Sequence, residues 1–316
     1  MAAAPPDRYE EPIEANPDFS KGADLIPDDD MSRYYSSITS SVVDYPYEHG
    51  RRWVESTVSL RKLADKLMDT STDRYHAFKD GVYQMPNDDQ EMDRLDLAHG
   101  MFRLILRNRL YLAPIGADTR RILDIGTGTG IWAIEMGDEI PDAEIIGTDL
   151  SPIQPNLYVH TLTPYTPQKI NLNRVPPNVK FEIDDCEESW IFRAKFDFIH
   201  SRCMAAAISN WPKLMSQTFE HITPGGWAEF HDLNLQYYSE DGSFTEDLPL
   251  YQWIHDLLAG YERLGIETCP GPKLERWLKD AGFQNVVQHK YKVPIGPWAR
   301  NKDLVSMFLS LFCSKG

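Results

Sequence analysis

At 316 residues, with 42% hydrophobic and 25% charged side chains, the chain can bury a full α/β core and has room for one large domain with additions. Its formal charge of -16 at pH 7 repels phosphate backbones, which argues against nucleic acid as a direct ligand. No apolar run is long enough for a membrane span. The four cysteines, Cys186, Cys203, Cys269 and Cys313, lack C-x-x-C spacing and a His partner, so no structural zinc, disulfide frame or other metal site is expected.

Residues 1–45 carry Pro5, Pro6, Pro12, Pro17, Pro27 and the run Asp28-Asp29-Asp30, a composition that predicts a mostly disordered lead-in. Met1 to Asp7 lacks the basic and apolar regions of a signal peptide, so an intracellular place, nucleus or cytoplasm, is expected. A helical cap is assigned to 46–115 and the catalytic core to 116–316. Within the cap, a long amphipathic helix is expected from Asn87 to Leu112, capped by Asn87 or Asp88 with Glu91 completing a capping box. Its apolar face is Leu95, Ala98, Phe102, Ile105 and Leu106.

In the core, strands are predicted at Arg121–Ile125, Ala143–Thr148, Val179–Ile183, Phe196–His200 and Trp227–His231. Helices are predicted at Ile131–Glu139, Trp211–His221, Leu248–Leu264 and Lys273–Ala281, with Gly282 stopping the last and a further strand at Val286–Val293. The alternation predicts an α/β fold, a doubly wound, mostly parallel Rossmann-like sheet.

The segment Ile122-Leu-Asp-Ile-Gly-Thr-Gly-Thr-Gly-Ile-Trp132 runs from an apolar strand through a glycine turn into a helix. Gly126, Gly128 and Gly130 permit positive φ and close approach of a ligand to the backbone, and the helix N-terminus offers N–H donors to a carboxylate. A dinucleotide G-x-G-x-x-G starting at Gly126 would need glycine where Ile131 stands, which leaves NAD as the runner-up ligand. Asp124, at the strand end, suits an ammonium group, and this favours S-adenosylmethionine. Asp149 ends the next strand, placed for ribose hydroxyls in either cofactor. Asp185 can face an adenine amino group and the Cys186 N–H a ring nitrogen; Thr223-Pro-Gly-Gly-Trp227 reads as the turn from a helix into a strand.

Further blocks follow the same order: Arg74-Tyr-His-Ala-Phe78, Tyr83 to His99, Gly126 to Ile134, Asp149-Leu-Ser-Pro-Ile-Gln-Pro155, Pro176 to Phe181, Phe196 to Arg202 and Pro294-Ile-Gly-Pro-Trp298. With these the chain resembles the class I methyltransferases and, more closely, the LaeA-like methyltransferases of filamentous fungi, some of which act with velvet-family regulators of secondary metabolism. The resemblance covers most of residues 74–298. It implies an S-adenosylmethionine site at Asp124, Gly126, Thr127, Gly128, Gly130, Asp149, Leu150, Gln154, Asp185 and Cys186, with Ile153 nearby. It also implies a small-molecule or protein methyl acceptor and a velvet-family partner.

In this fold the loop after the fourth strand faces the transferred methyl group. That puts His200, Ser201 and Arg202 near the reaction, with Glu229 and His231 on the next strand; His200 is the first candidate for a base. The helix bearing Arg94 and His99 is read either as a lid over the cofactor, with Tyr83 as an aromatic wall, or as a plain packing helix. An aromatic pocket around Trp132, Trp211 and Trp227 would favour a metabolite-modifying enzyme; an exposed apolar patch would favour a regulatory partner. Residues 53–73, 156–174 and 305–316 depart from the family pattern, as surface insertions or as translated introns, and reduced stability is expected where the last strand is missing or replaced.

Overall fold

The computed structural model describes residues 13–15, 89–155, 175–296 and 299–300. Five parallel strands form one sheet: β1 (Arg121–Ile125), β2 (Glu144–Asp149), β3 (Val179–Ile183), β4 (Phe196–Arg202) and β5 (Ile222–His231), in the order β3-β2-β1-β4-β5. Helix α1 (Asp89–Ile105) precedes β1, α2 (Ile131–Glu139) follows it and α3 (Trp211–His221) joins β4 to β5. Helices α4 (Pro249–Arg263) and α5 (Gly271–Ala281) come last. The strand order reverses between β1 and β4, and an open α/β sheet binds ligands outside the carboxyl ends of its strands at such a switch point.

The strands read as nearly continuous apolar runs because both sheet faces are covered. On one face Ile122, Ile145, Val179, Phe181 and Phe198 pack against Trp132, Ala133 and Met136 of α2. On the other, Leu123, Ile125, Ile146 and Ile199 meet Trp211, Leu214 and Met215 of α3 and Leu274 of α5, with Trp211 stacked on Trp277 at 5.6 Å. Asn210 caps α3 by accepting the Lys213 N–H at 3.0 Å, and α5 stops at Gly282, whose φ of 110° no side chain readily adopts.

Three expectations are corrected. The helix expected to run to Leu112 ends at Ile105, because Arg107 and Asn108 turn left-handed (φ 55° and 61°) and the Asn108 N–H reaches back to the Arg103 carbonyl at 2.6 Å. The strand expected over Val286–Val293 makes no ladder, and β5 is the edge of the sheet among the described residues. Thr223 to Gly226 lie within β5: pairing jumps from Phe196–Ile222 to Phe198–Trp227, so these four residues form a bulge with Gly225 at φ 84°. The calls on 1–12, 16–88, 156–174 and 301–316, including the helix cap at Asn87 or Asp88 and the Tyr83 wall, lie outside the described residues. No helix among the described residues is long and apolar enough to cross a membrane, and none of their His, Cys, Asp and Glu groups could hold a metal ion.

Phe198 has no exposed surface and contacts the rings of Tyr111 and Trp132. Phe198→Ala should lower unfolding free energy by about 3–5 kcal/mol. Ile191→Ala, at a side chain 89% exposed, should stay within about 0.5 kcal/mol. Urea denaturation of both variants checks this; equal losses would mean the core is not where the sheet puts it.

Candidate functional site

The glycine turn spans the gap between β1 and α2, and its shape needs glycine. Gly126 and Gly130 sit at φ 66° and 81°; a Cβ on the first would collide with the Met204 sulfur, and one on the second would stand 2.5 Å from the Phe181 ring. At Gly128 an added Cβ would meet only Leu95, at 3.4 Å, so this is the roomier point of the turn. Three backbone N–H groups of the loop are fixed by hydrogen bonds: Thr127 N–H to the Thr148 carbonyl (3.0 Å), Gly130 N–H to the Thr127 carbonyl (3.0 Å) and Gly128 N–H to Asp149 Oδ2 (2.8 Å).

Asp149 closes β2 next to this turn. Its Oδ1 accepts the Ser151 N–H at 2.9 Å, and the buried Gln154 donates through Nε2 to the carbonyls of Gly128 (2.6 Å) and Ser151 (3.0 Å). Ile153 is buried beside it and Leu150 half-buried. At the end of β3 the Asp184 N–H bonds the Asp149 carbonyl, and buried Asp185 accepts the Glu187 N–H at 2.9 Å. Burial and the surrounding carboxylates push the Cys186 thiol up, so it stays protonated; its carbonyl accepts from Trp190 Nε1 and Gln217 Nε2.

Beneath the turn lies a buried carboxylate. Asp124 is 3% exposed; its Oδ2 accepts the Thr127 hydroxyl at 2.6 Å and its Oδ1 accepts His200 Nδ1–H at 2.7 Å. Burial raises its carboxyl to about 6, against the opposing pull of the Thr127 bond and the Arg202 and His99 charges. His200 has no exposed surface and stacks on Trp132, ring centroids 3.7 Å apart and 4° from parallel. Burial, then His231 and Arg202, hold its pKa well below the usual histidine value, and its Nε2 has no hydrogen-bond partner among the described residues. On β5, Glu229 accepts the N–H groups of Leu112 (2.8 Å) and Ala113 (2.6 Å) and His231 Nε2–H at 2.5 Å. Burial works to raise the Glu229 carboxyl, but the His231 bond and charge outweigh it and hold the group low.

α1 reaches the same region. His99 is held below its ordinary pKa, chiefly by burial. In the neutral ring Nδ1 accepts from Arg202 Nη2 at 2.6 Å while Nε2–H donates to Glu135 of α2 at 3.1 Å, because a guanidinium can only donate. Asp96, one helical turn earlier, accepts the Thr129 hydroxyl at 2.7 Å.

The structure thus joins Asp124, Thr127, Gly128, Asp149 and Gln154 by hydrogen bonds at one glycine turn with Gly126 and Gly130, with Leu150 next to Asp149 and with Asp185 and Cys186 just beyond the carboxyl end of β3. His200, first among the expected bases, lies under Asp124 with no surface open to an acceptor. Trp132 and Trp211 are buried on opposite faces of the sheet, so they do not line the common aromatic pocket that would favour a metabolite-modifying enzyme. Sequence reasoning missed Asp96 and Glu135, although Asp96, His99 and Arg103 at helical spacing mark one polar face of α1.

A parallel sheet in this order, a glycine turn after its first strand and an aspartate ending its second are common to dinucleotide-binding folds and class I S-adenosylmethionine-dependent methyltransferases, and similarity to known proteins places the chain in the second class. The chain belongs to the methyltransferase family, residues 97–288 matching its methyltransferase domain, and within that family to the LaeA-like group. It is 38% identical over 304 residues to methyltransferase pytC of Aspergillus terreus, covering 96% of this chain and 78% of that one. Secondary metabolism regulator LAE1 of Gibberella fujikuroi is 34% identical over 236 residues, 72% of this chain and 69% of the relative. The protein of that name in Cochliobolus heterostrophus is 31% identical over 230 residues, 71% and 69% of the two.

Two variants test the turn. Gly130→Ala, strained by its φ and by Phe181, should cost about 1–3 kcal/mol, and Gly128→Ala, strained by φ alone, about 1 kcal/mol; equal urea midpoints would contradict the difference in packing. Asp124→Asn tests the buried carboxyl. A carboxyl raised in the folded state to about 6 takes up a proton on folding between that value and the unfolded 3.8, so it disfavours the fold above this window and is relieved below it. Wild-type stability relative to Asp124→Asn should therefore rise as pH falls from about 6 to about 4. A difference that shrinks or stays flat would contradict the assignment.

Proposed function

We propose that this methyltransferase holds S-adenosylmethionine across the carboxyl ends of β1, β2 and β3 and methylates a small-molecule or protein acceptor in fungal secondary metabolism. The observation that carries the reading is Asp149: its carboxylate closes β2 and takes the Gly128 N–H, so in this reading one side chain would serve both the ribose and the shape of the glycine turn. The donor set fits this ligand. Asp124 and Asp149 flank the turn, a charge that suits an ammonium and a sulfonium and opposes the pyrophosphate of NAD. Gly126 to Gly130 would hold the methionine end, with Thr127 turned to Asp124, and Leu150, Ile153, Asp185 and the Cys186 N–H would hold the adenine.

When bound, the cofactor would supply an electrophilic methyl carbon for transfer to the acceptor, with S-adenosylhomocysteine as the leaving group. The protein's part is alignment of the acceptor with the methyl carbon and exclusion of water, and alignment of this kind can supply about 7–11 kcal/mol of barrier lowering. His200 is a positioning residue in this reading: enclosed and with its proton on Nδ1, it holds Asp124, which in turn orients Thr127. The resemblance to the regulators supports a second reading, a cofactor-binding partner of velvet-type proteins. What favours it is α4, which presents Leu250, Trp253 and Leu257 to solvent at helical spacing.

Calorimetric titration with S-adenosylmethionine should give low-micromolar binding. It should be lost in Gly128→Arg, which fills the open point of the turn, and in Asp149→Ala. A folded chain that releases no heat with the cofactor, or binds it equally well in both variants, would overturn the reading.

A further inference from the structure

Near the middle of α1, Leu95 and Asp96 lie against the glycine turn. Among the described residues Leu95 is the one neighbour within 4 Å of a Cβ built on Gly128, and Asp96 Oδ1 accepts the Thr129 hydroxyl at 2.7 Å. The turn is therefore held from two elements, Asp149 of β2 taking the Gly128 N–H and Asp96 of α1 taking the next side chain. The carboxylate expected from the sequence to meet the cofactor's ammonium, Asp124, has both oxygens engaged: one by His200, one by Thr127. At 3% exposure it offers a cation no direct approach.

Asp96 is in a different position, half-buried at the rim of the turn and anchored through one oxygen. Burial raises its carboxyl to about 6, Asp93 adds to the rise, and the Thr129 bond and the Arg202 charge oppose it. A carboxylate kept at the edge of a ligand cradle against that desolvation has its charge met when a cation binds beside it.

We propose that Asp96 binds the ammonium group at the amino-acid end of the cofactor, while Asp124 acts from below by orienting Thr127. This rests on the reading that S-adenosylmethionine occupies the glycine turn. It gives α1 a ligand-binding part beyond packing and names the side chain responsible.

The experiment compares two ligands that differ only at the amino-acid end: S-adenosylhomocysteine, which carries the ammonium, and 5′-methylthioadenosine, which does not. Asp96→Asn keeps the size of the side chain and an oxygen for Thr129. It should weaken S-adenosylhomocysteine about tenfold or more while methylthioadenosine stays within about twofold. Equal losses for both ligands, or no loss for S-adenosylhomocysteine, would overturn the proposal. The wild-type chain supplies a test that needs no variant to fold. Ionised Asp96 is the binding form, so affinity for S-adenosylhomocysteine relative to methylthioadenosine should fall as pH drops from about 7 to about 5. A ratio that does not change with pH would contradict the assignment, and Asp96→Asn should flatten it. A wild-type chain that binds neither ligand would overturn the cofactor reading, and this proposal with it; binding of both with no difference in Asp96→Asn overturns the proposal alone.

Discussion

A carboxylate cut off from water must find its partners inside the protein, and the partners of Asp124 come from the turn and from β4. Thr127 takes one oxygen and His200 the other. The histidine is itself fixed by stacking on Trp132 of α2. One buried charge thus ties β1, the glycine turn, β4 and α2 together. Leaving such a group one donor short costs about 1–3 kcal/mol, more than the roughly 1 kcal/mol net contribution of an average hydrogen bond. The arrangement is therefore worth more as a constraint than as a sum of contacts. It sets where Thr127 points, and through the left-handed glycines on either side it sets where the Gly128 N–H meets Asp149.

The same constraint organises one face of the sheet. Asp124, His200 and Glu229 are register neighbours across β1, β4 and β5, and Arg202 pairs in register with His231 one step further along. Towards the amino ends the same face is apolar, with Ile122, Ile145 and Phe198 closing on α2. Polar groups crowd the carboxyl ends, where α1 brings Asp96 and His99 and α2 brings Glu135. The opposite face, packed on α3 and α5, has no such row and is filled by side chains such as Ile125, Ile199, Trp211 and Leu214. Apolar packing and the polar cluster thus occupy different ends and faces of one sheet, as an open parallel sheet with a switch point permits.

What the amino-acid sequence disclosed follows from how local each feature is. The five strands and their parallel alternation were readable because buried strands leave short apolar runs between helical stretches. The glycine turn was readable because its geometry is settled within five residues. Val286–Val293 has the residue types of a strand, yet a strand exists only with a partner, and none of the described residues provides one. The end of α1 was misplaced because Arg107 and Asn108 adopt left-handed conformations that glycine would have advertised. The polar connections were the least legible: Asp96 and Thr129 are 33 residues apart, His99 and Glu135 36, and Arg202 and His99 103. Only the folded sheet brings them together. Burial also closes His200 off from solvent, which neither its residue type nor its place after the fourth strand, the grounds for reading it as a base, could disclose.

The central claim is that the turn anchored on Asp124 is where the cofactor lies. Amide hydrogen exchange, followed with and without S-adenosylhomocysteine, tests it most directly. The account predicts that the ligand slows exchange in the segments holding Thr127 to Trp132, Asp149 to Ser151 and Asp185 to Glu187, while the helices on the far face, α3 and α5, are unaffected. Protection confined to other segments, or none in these under saturating ligand, would contradict it.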